Sequence, residues 1–111
     1  LTTAELTGTD IALLNGAGSQ DLARQLRALL WQQGFQVASI GNHLDFGAEK
    51  TLIYYRPEAE RVARALCRNF FPDAQLEPST RIRGGADVKV ILGRDLLNRV
   101  QLLDQLAALN N

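Results

Sequence analysis

Arg61, Arg64 and Arg68 recur at a spacing that places three guanidinium groups on one face of a helix, with Arg56 just ahead of them. Arg81 and Arg83 follow, and a fold that returns them to the same side builds a basic cluster. Guanidinium groups hold a carboxylate or phosphate through paired hydrogen bonds, so the chemistry on offer is anion recognition. Glu58 and Glu60 dilute the cluster, and Glu60 sits four residues before Arg64, the spacing of a helical ion pair. A solvated helix face and a ligand patch are both consistent with this pattern. Twelve basic residues balance twelve acidic ones, so no general attraction to nucleic acid or acidic membrane arises from bulk charge.

Other chemistries find less material. Gly16-Ala17-Gly18 lies where a phosphate-binding glycine turn would lie, but the third small residue of a dinucleotide fingerprint falls on Asp21, whose charge repels phosphate. No Gly-Lys-Ser/Thr follows for a nucleotide P-loop. Asn15, Gly16 and Gly18 are therefore read as a structural turn, in which substitution of either glycine costs stability if its backbone needs positive φ. His43 is the sole histidine and Cys67 the sole cysteine, in different predicted elements. Neither a zinc site nor an intramolecular disulfide is expected. Asp45 and Glu49 fall in a loop, Asp87 and Asp95 flank a strand, and Ser19 has no base beside it. None of these forms an acid, base and nucleophile set. No enzyme activity, metal or cofactor is expected.

The elements that carry these residues read as an α/β domain. Ile11 to Leu14 is a short apolar strand stopped by Asn15-Gly16. A helix beginning at Ser19 or a neighbour aligns Leu22, Leu26 and Leu29, widened by Ala23 and Leu30, and ends at Gly34 in the left-handed conformation. Phe35 to Ile40 and Thr51 to Tyr55 are strands. Tyr54 and Tyr55 alternate across the second of them, while Trp31 either covers the core or projects from it. Pro57 opens a second helix burying Ala59, Val62, Ala63, Leu66 and Phe70, with Cys67 as a small buried hydrophobe, and the helix stops before Pro72. Ala74 to Glu77 is a short edge strand limited by Pro78, Arg81 to Ala86 a loop, and Val88 to Leu92 a strand broken by Gly93. Leu96, Val100, Leu103 and Ala107 then predict a third helix. The order β-α-β-β-α-β-β-α implies a small mixed β-sheet covered by helices. Residues 1–10 read as a linker or boundary segment of a longer protein, 11–109 as the domain and 110–111 as a tail. No run approaches the roughly 20 apolar residues of a membrane span, so direct insertion by this chain is not expected.

The combined pattern resembles the LytR C-terminal domain of LytR/CpsA/Psr-related cell-envelope proteins. It rests on ALLNGAG (12–18), LARQLRALLWQQGFQVASIGN (22–42), TLIYYRPEAERVARAL (51–66) and VKVILGRD (88–95) in that order. The family pairs an Asn-Gly turn and a Gly-Phe helix exit with a Tyr-Tyr-Arg/Pro strand end and a Leu-Gly-Asp-like segment. Here these fall on Asn15-Gly16, Gly34-Phe35, Tyr54 to Pro57, and Leu92-Gly93 followed by Arg94-Asp95. Family members often carry another glycine where Asp21 stands. The resemblance implies a noncatalytic accessory domain in the extracytoplasmic, periplasmic part of the cell envelope, separate from the phosphotransferase domain of some relatives. Its implied partner is an envelope protein or a peptidoglycan-linked polymer. Arg56, Arg61, Arg64, Arg68 and Asn42 are the candidate binding residues, with Gly34 and Gly93 added to the structural turns. A catalytic domain acting on an envelope polymer and a nucleic-acid-binding regulator are the alternatives.

Overall fold

Five strands form one mixed sheet in the order β2-β1-β5-β3-β4 in the computed structural model, which describes residues 1–17, 21–42 and 48–96. The strands are β1 (Asp10–Asn15), β2 (Gln36–Asn42), β3 (Leu52–Tyr55), β4 (Gln75–Pro78) and β5 (Val88–Leu92). Helix α1 is Thr3–Thr7, α2 is Leu22–Gln32 and α3 is Glu60–Asn69. β1-α2-β2 and β3-α3-β4 are two parallel crossover units, and β5 joins them by pairing parallel to β1 and antiparallel to β3. The two units run in opposite directions and step outward in opposite directions. Right-handed crossovers then put both helices on the same face of the sheet.

That face carries the core. Alternate strand residues Ile11, Leu13, Ile53, Tyr55, Val88 and Val90 meet Leu22, Leu26 and Leu30 of α2 and Val62, Ala63 and Leu66 of α3. Leu29 is only half-buried, because the sheet lies under the Leu22-Leu26-Leu30 side of the stripe. On the opposite face Ala12, Leu14, Leu52, Tyr54 and Lys89 are half-buried. Tyr55 is thus the core tyrosine and Tyr54 the surface one, with the Lys89 ammonium 5.9 Å from its ring centre. Trp31 projects from α2, 55% exposed, with the Arg27 guanidinium 5.0 Å from its ring centre.

Local chemistry explains the boundaries. α2 ends in a Schellman arrangement: Gly34 at φ +92° donates to the Trp31 carbonyl, and Phe35 donates to that of Leu30. The helix starts at Leu22 with Asp21 as the capping residue, later than Ser19. Pro57 opens a 3₁₀ turn (Pro57–Ala59) that leads into α3. α3 is closed by Phe70 and Phe71, and it is Phe71, 1% exposed, that enters the core while Phe70 stacks edge-on with Phe35 at 5.7 Å. Cys67 is half-buried rather than enclosed. The Arg81 to Ala86 loop contains a 3₁₀ turn, Arg83–Gly85, enabled by Gly84 at φ +80°.

Two further expectations change. Residues 3–7, read as linker, form α1, whose N-cap Thr2 accepts the Glu5 amide and whose Leu6 packs against the core. Gly16 does not need positive φ; it needs space, since a Cβ there would lie 2.9 Å from the Leu92 carbonyl oxygen. Gly18 and the third helix predicted from Leu96 to Ala107, beyond Leu96 itself, lie outside the described residues.

Leu26 and Leu66 are 1% and 0% exposed in one shared core. Truncation of either to alanine is expected to cost about 2–5 kcal/mol. Denaturant unfolding checks this, and wild-type midpoints for both variants would show the core to be wrongly assigned.

Candidate functional site

The segment leading into β3 crosses the carboxyl ends of β1 and β5, the crevice where open α/β sheets commonly take ligands. Ala48 donates to the Gly16 carbonyl at 3.2 Å and accepts from Arg94 at 3.0 Å. Asp95 donates to the Glu49 carbonyl at 3.1 Å. Its carboxylate accepts both the amide of fully buried Thr51 at 3.2 Å and the Thr51 hydroxyl at 2.9 Å. Thr51 Oγ1 in turn accepts the Gly93 amide at 3.1 Å. A Cβ on Gly93 would lie 2.4 Å from the Lys50 carbonyl carbon. Main chain therefore occupies this crevice, and Asp95 serves a strand-end lock. Asn15, 4% exposed, turns its Oδ1 to the Ala17 amide at 3.1 Å, closing the turn after β1 from within.

The candidate arginines separate into distinct settings. Arg56 is a clamp: Nε donates to the Ala86 carbonyl at 3.1 Å, Nη2 donates to that of Ile82 at 3.3 Å, and Asp87 lies 4.0 Å away. The same Asp87 carboxylate accepts the Asp10 amide at 3.0 Å, so the group ties the β3 exit to the starts of β1 and β5. Arg61 reaches Glu5 of α1 at 3.1 Å. Arg64 pairs with Glu60 at 2.9 Å across one helical turn, as their spacing implied. Arg68 is exposed and makes no ion pair or hydrogen bond among the described residues. Arg81 does not join them; it lines a cleft with Tyr54, Ile82 and Lys89 on the opposite sheet face.

Arg64 and Arg68 flank an open cleft of about 390 Å³ between α3 and β4, whose other walls are Cys67, Pro72 and Leu76. Sequence reasoning missed these three wall residues. Their signal was the short connection between α3 and β4, which forces the strand beside the helix face that bears Arg64 and Arg68. Asn42 lies elsewhere, in a cleft of about 330 Å³ beside Asn15, Arg24 and Ile40 at the β1/β2 ends. Arg24 was also missed, although its place in the first turn of a helix after a glycine turn pointed to it. His43 and Asp45 lie outside the described residues. Among the described residues, no group of three or more His, Cys, Asp or Glu side chains could hold a metal ion, and no helix is long and apolar enough to cross a membrane.

Fold and surface together define a two-layer α/β domain with an arginine-edged cleft beside its outermost strand. Residues 8–96 match the LytR_C family, described as LytR cell envelope-related transcriptional attenuator, and the chain belongs to that family. Its fold is similar to that of the soluble domain of a conserved hypothetical secreted protein from Mycobacterium marinum, at a TM-score of 0.66 and 22% identity. The similarity covers 86% of this chain and 65% of that one. Comparison with curated proteins yields no match.

Two pairs of variants test the division of labour among close approaches and clamps. Gly93→Ala should cost about 3 kcal/mol or more, because backbone must move, against about 1 kcal/mol for Gly34→Ala, whose added Cβ meets only the flexible end of Leu6 at 3.4 Å. Arg56→Ala should lower stability by about 1–2 kcal/mol, reduced from a buried clamp by its partial exposure, while Arg68→Ala leaves it within about 0.5 kcal/mol. Urea denaturation of the variants reads both comparisons, and equal losses for Arg56→Ala and Arg68→Ala would remove the clamp from the account.

Proposed function

We propose that this domain is a noncatalytic accessory module of an extracytoplasmic cell-envelope protein, binding an envelope protein or a peptidoglycan-linked polymer. The family supplies the envelope context. The observation that carries the binding reading is Arg68: its neighbours in the basic row are matched to Glu5 and Glu60, while it stands at the rim of an apolar-walled cleft without a counter-ion among the described residues. A guanidinium in that position offers paired hydrogen bonds to a carboxylate or phosphate, and Pro72 and Leu76 offer apolar surface that salt does not screen. With net charge zero, selectivity rests on this local combination rather than on the field of the whole molecule.

The periplasmic setting and the accessory role belong to the same proposal. Asp87 and Asp95 support the noncatalytic assignment, because both carboxylates are engaged in holding backbone amides.

The test is a titration of the folded chain with solubilised peptidoglycan fragments and with envelope extracts, followed residue by residue by NMR. Shifts should gather on α3 and β4, and Arg68→Ala should weaken binding by about ten-fold, the value of one charge-assisted hydrogen bond. Turnover of any envelope polymer by the purified domain would sink the noncatalytic part. Binding with no perturbation of α3 or β4 would move the site elsewhere.

A further inference from the structure

We infer that the cleft between α3 and β4 receives the free carboxyl terminus of a peptide with an aliphatic last residue, an inference that rests on the binding role proposed above. Among the described residues β4 is an outermost strand, with one side of its backbone unpaired. The Gln75 amide donates to the Thr51 carbonyl at 3.0 Å and the Ser79 amide donates to the Tyr55 carbonyl at 2.8 Å, so both face β3. Strand alternation turns the amide and carbonyl of Leu76 outward. The next outward position is Pro78, which has no amide hydrogen. A long peptide laid along this edge finds one hydrogen-bonding residue and then a gap. A chain end needs only the one.

The side chains around that edge suit such an end. Leu76 points toward α3, where it packs against the rim of the core, and with Pro72 and Cys67 it makes an apolar wall. Arg64 and Arg68 stand one helical turn apart above it, and Glu60 offsets only the first of them. Gln75 and Glu77 are hydrogen-bonded to each other at 3.0 Å, and their positions alternate with Leu76, so the Glu77 charge lies on the opposite side of the sheet from the cleft. The cleft is thus cationic at its rim and apolar below. Charge complementarity selects an anion, and the apolar wall selects one attached to an aliphatic body. A bare phosphate satisfies the arginines and leaves Pro72 and Leu76 uncovered. This is strand-edge recognition shortened to its terminal residue.

Cys67 provides the reporter, since it lines the cleft, is half-buried and is the chain's single cysteine. Alkylation of Cys67 by iodoacetamide is followed by mass spectrometry while acetyl-Gly-Ala-Leu with a free carboxylate is added, then its C-terminal amide, then inorganic phosphate. The free acid should slow alkylation saturably, with the amide and phosphate each at least ten-fold weaker. Arg68→Ala should weaken the acid about ten-fold, and Arg61→Ala, paired to Glu5 beside a different helix, should leave it unchanged. Both variants are checked for wild-type unfolding midpoints. Equal protection by acid and amide, or by acid and phosphate, overturns the inference, as does an unchanged affinity in folded R68A. If peptidoglycan fragments perturb α3 and β4 by NMR while the peptide acid does not protect Cys67, the peptide assignment fails and the envelope-binding role stands. If neither ligand touches the cleft, the peptide assignment and the placement of the binding site at the cleft both fail.

Discussion

Gly93 and Thr51 pass so closely that neither backbone leaves room for a side chain on the glycine, and the rest of the domain is arranged around that crossing. The segment of residues 48–51, which leads into β3, runs over the carboxyl ends of β1 and β5. Gly16 and Gly93 remove the Cβ atoms that would obstruct it. The hydroxyl and amide of Thr51 replace lost solvent contacts with the Asp95 carboxylate, so that a fully buried polar residue is satisfied. The cost of this route is the site that α/β sheets usually keep open at a topological reversal.

With that crevice filled by main chain and both crossover helices committed to one face, the proposed recognition surface falls at the margin of the sheet. The arginines show how. Those near α1 and at the β3 exit are used to hold elements together, whereas those on the outer turns of α3 overlook the last strand. The same residue type thus performs two kinds of work within a short stretch of chain, and the difference lies in which acids and carbonyls the topology brings within reach.

Elements set by neighbours in sequence were legible before the structure. Gly34 could be assigned its left-handed role because a helix stripe ended just before it, and Pro57 and Pro72 bracketed α3. The Glu60–Arg64 pair followed from spacing alone. What failed was set by distant partners or short elements. Gly16 looks the same in sequence whether it serves conformation or close approach, and only Leu92, far along the chain, decides. α1 escaped because five residues give little periodicity. The basic row was visible as a row, but Glu5 is too remote in sequence to predict its pairing with Arg61, and Arg81 falls on the other face of the sheet. Phe71 displaced Phe70 from the core because the helix ends there and the stripe loses its phase.

The position of β5 has a consequence for how the domain comes into being. The two crossover units do not pair with each other; each pairs with a strand that is synthesised after both. Ile11 waits for Val88, across most of the chain. Until β5 emerges, β1 and β3 each present an unpaired inner edge, and the apolar faces of two half-sheets have no common layer to close over. Vectorial synthesis therefore yields two sticky halves and then a closing event, with slow, non-local pairing as its final step. A chain cut before Val88 would lack the keystone rather than merely an edge, and would be a client for chaperones or proteases instead of a smaller version of the domain.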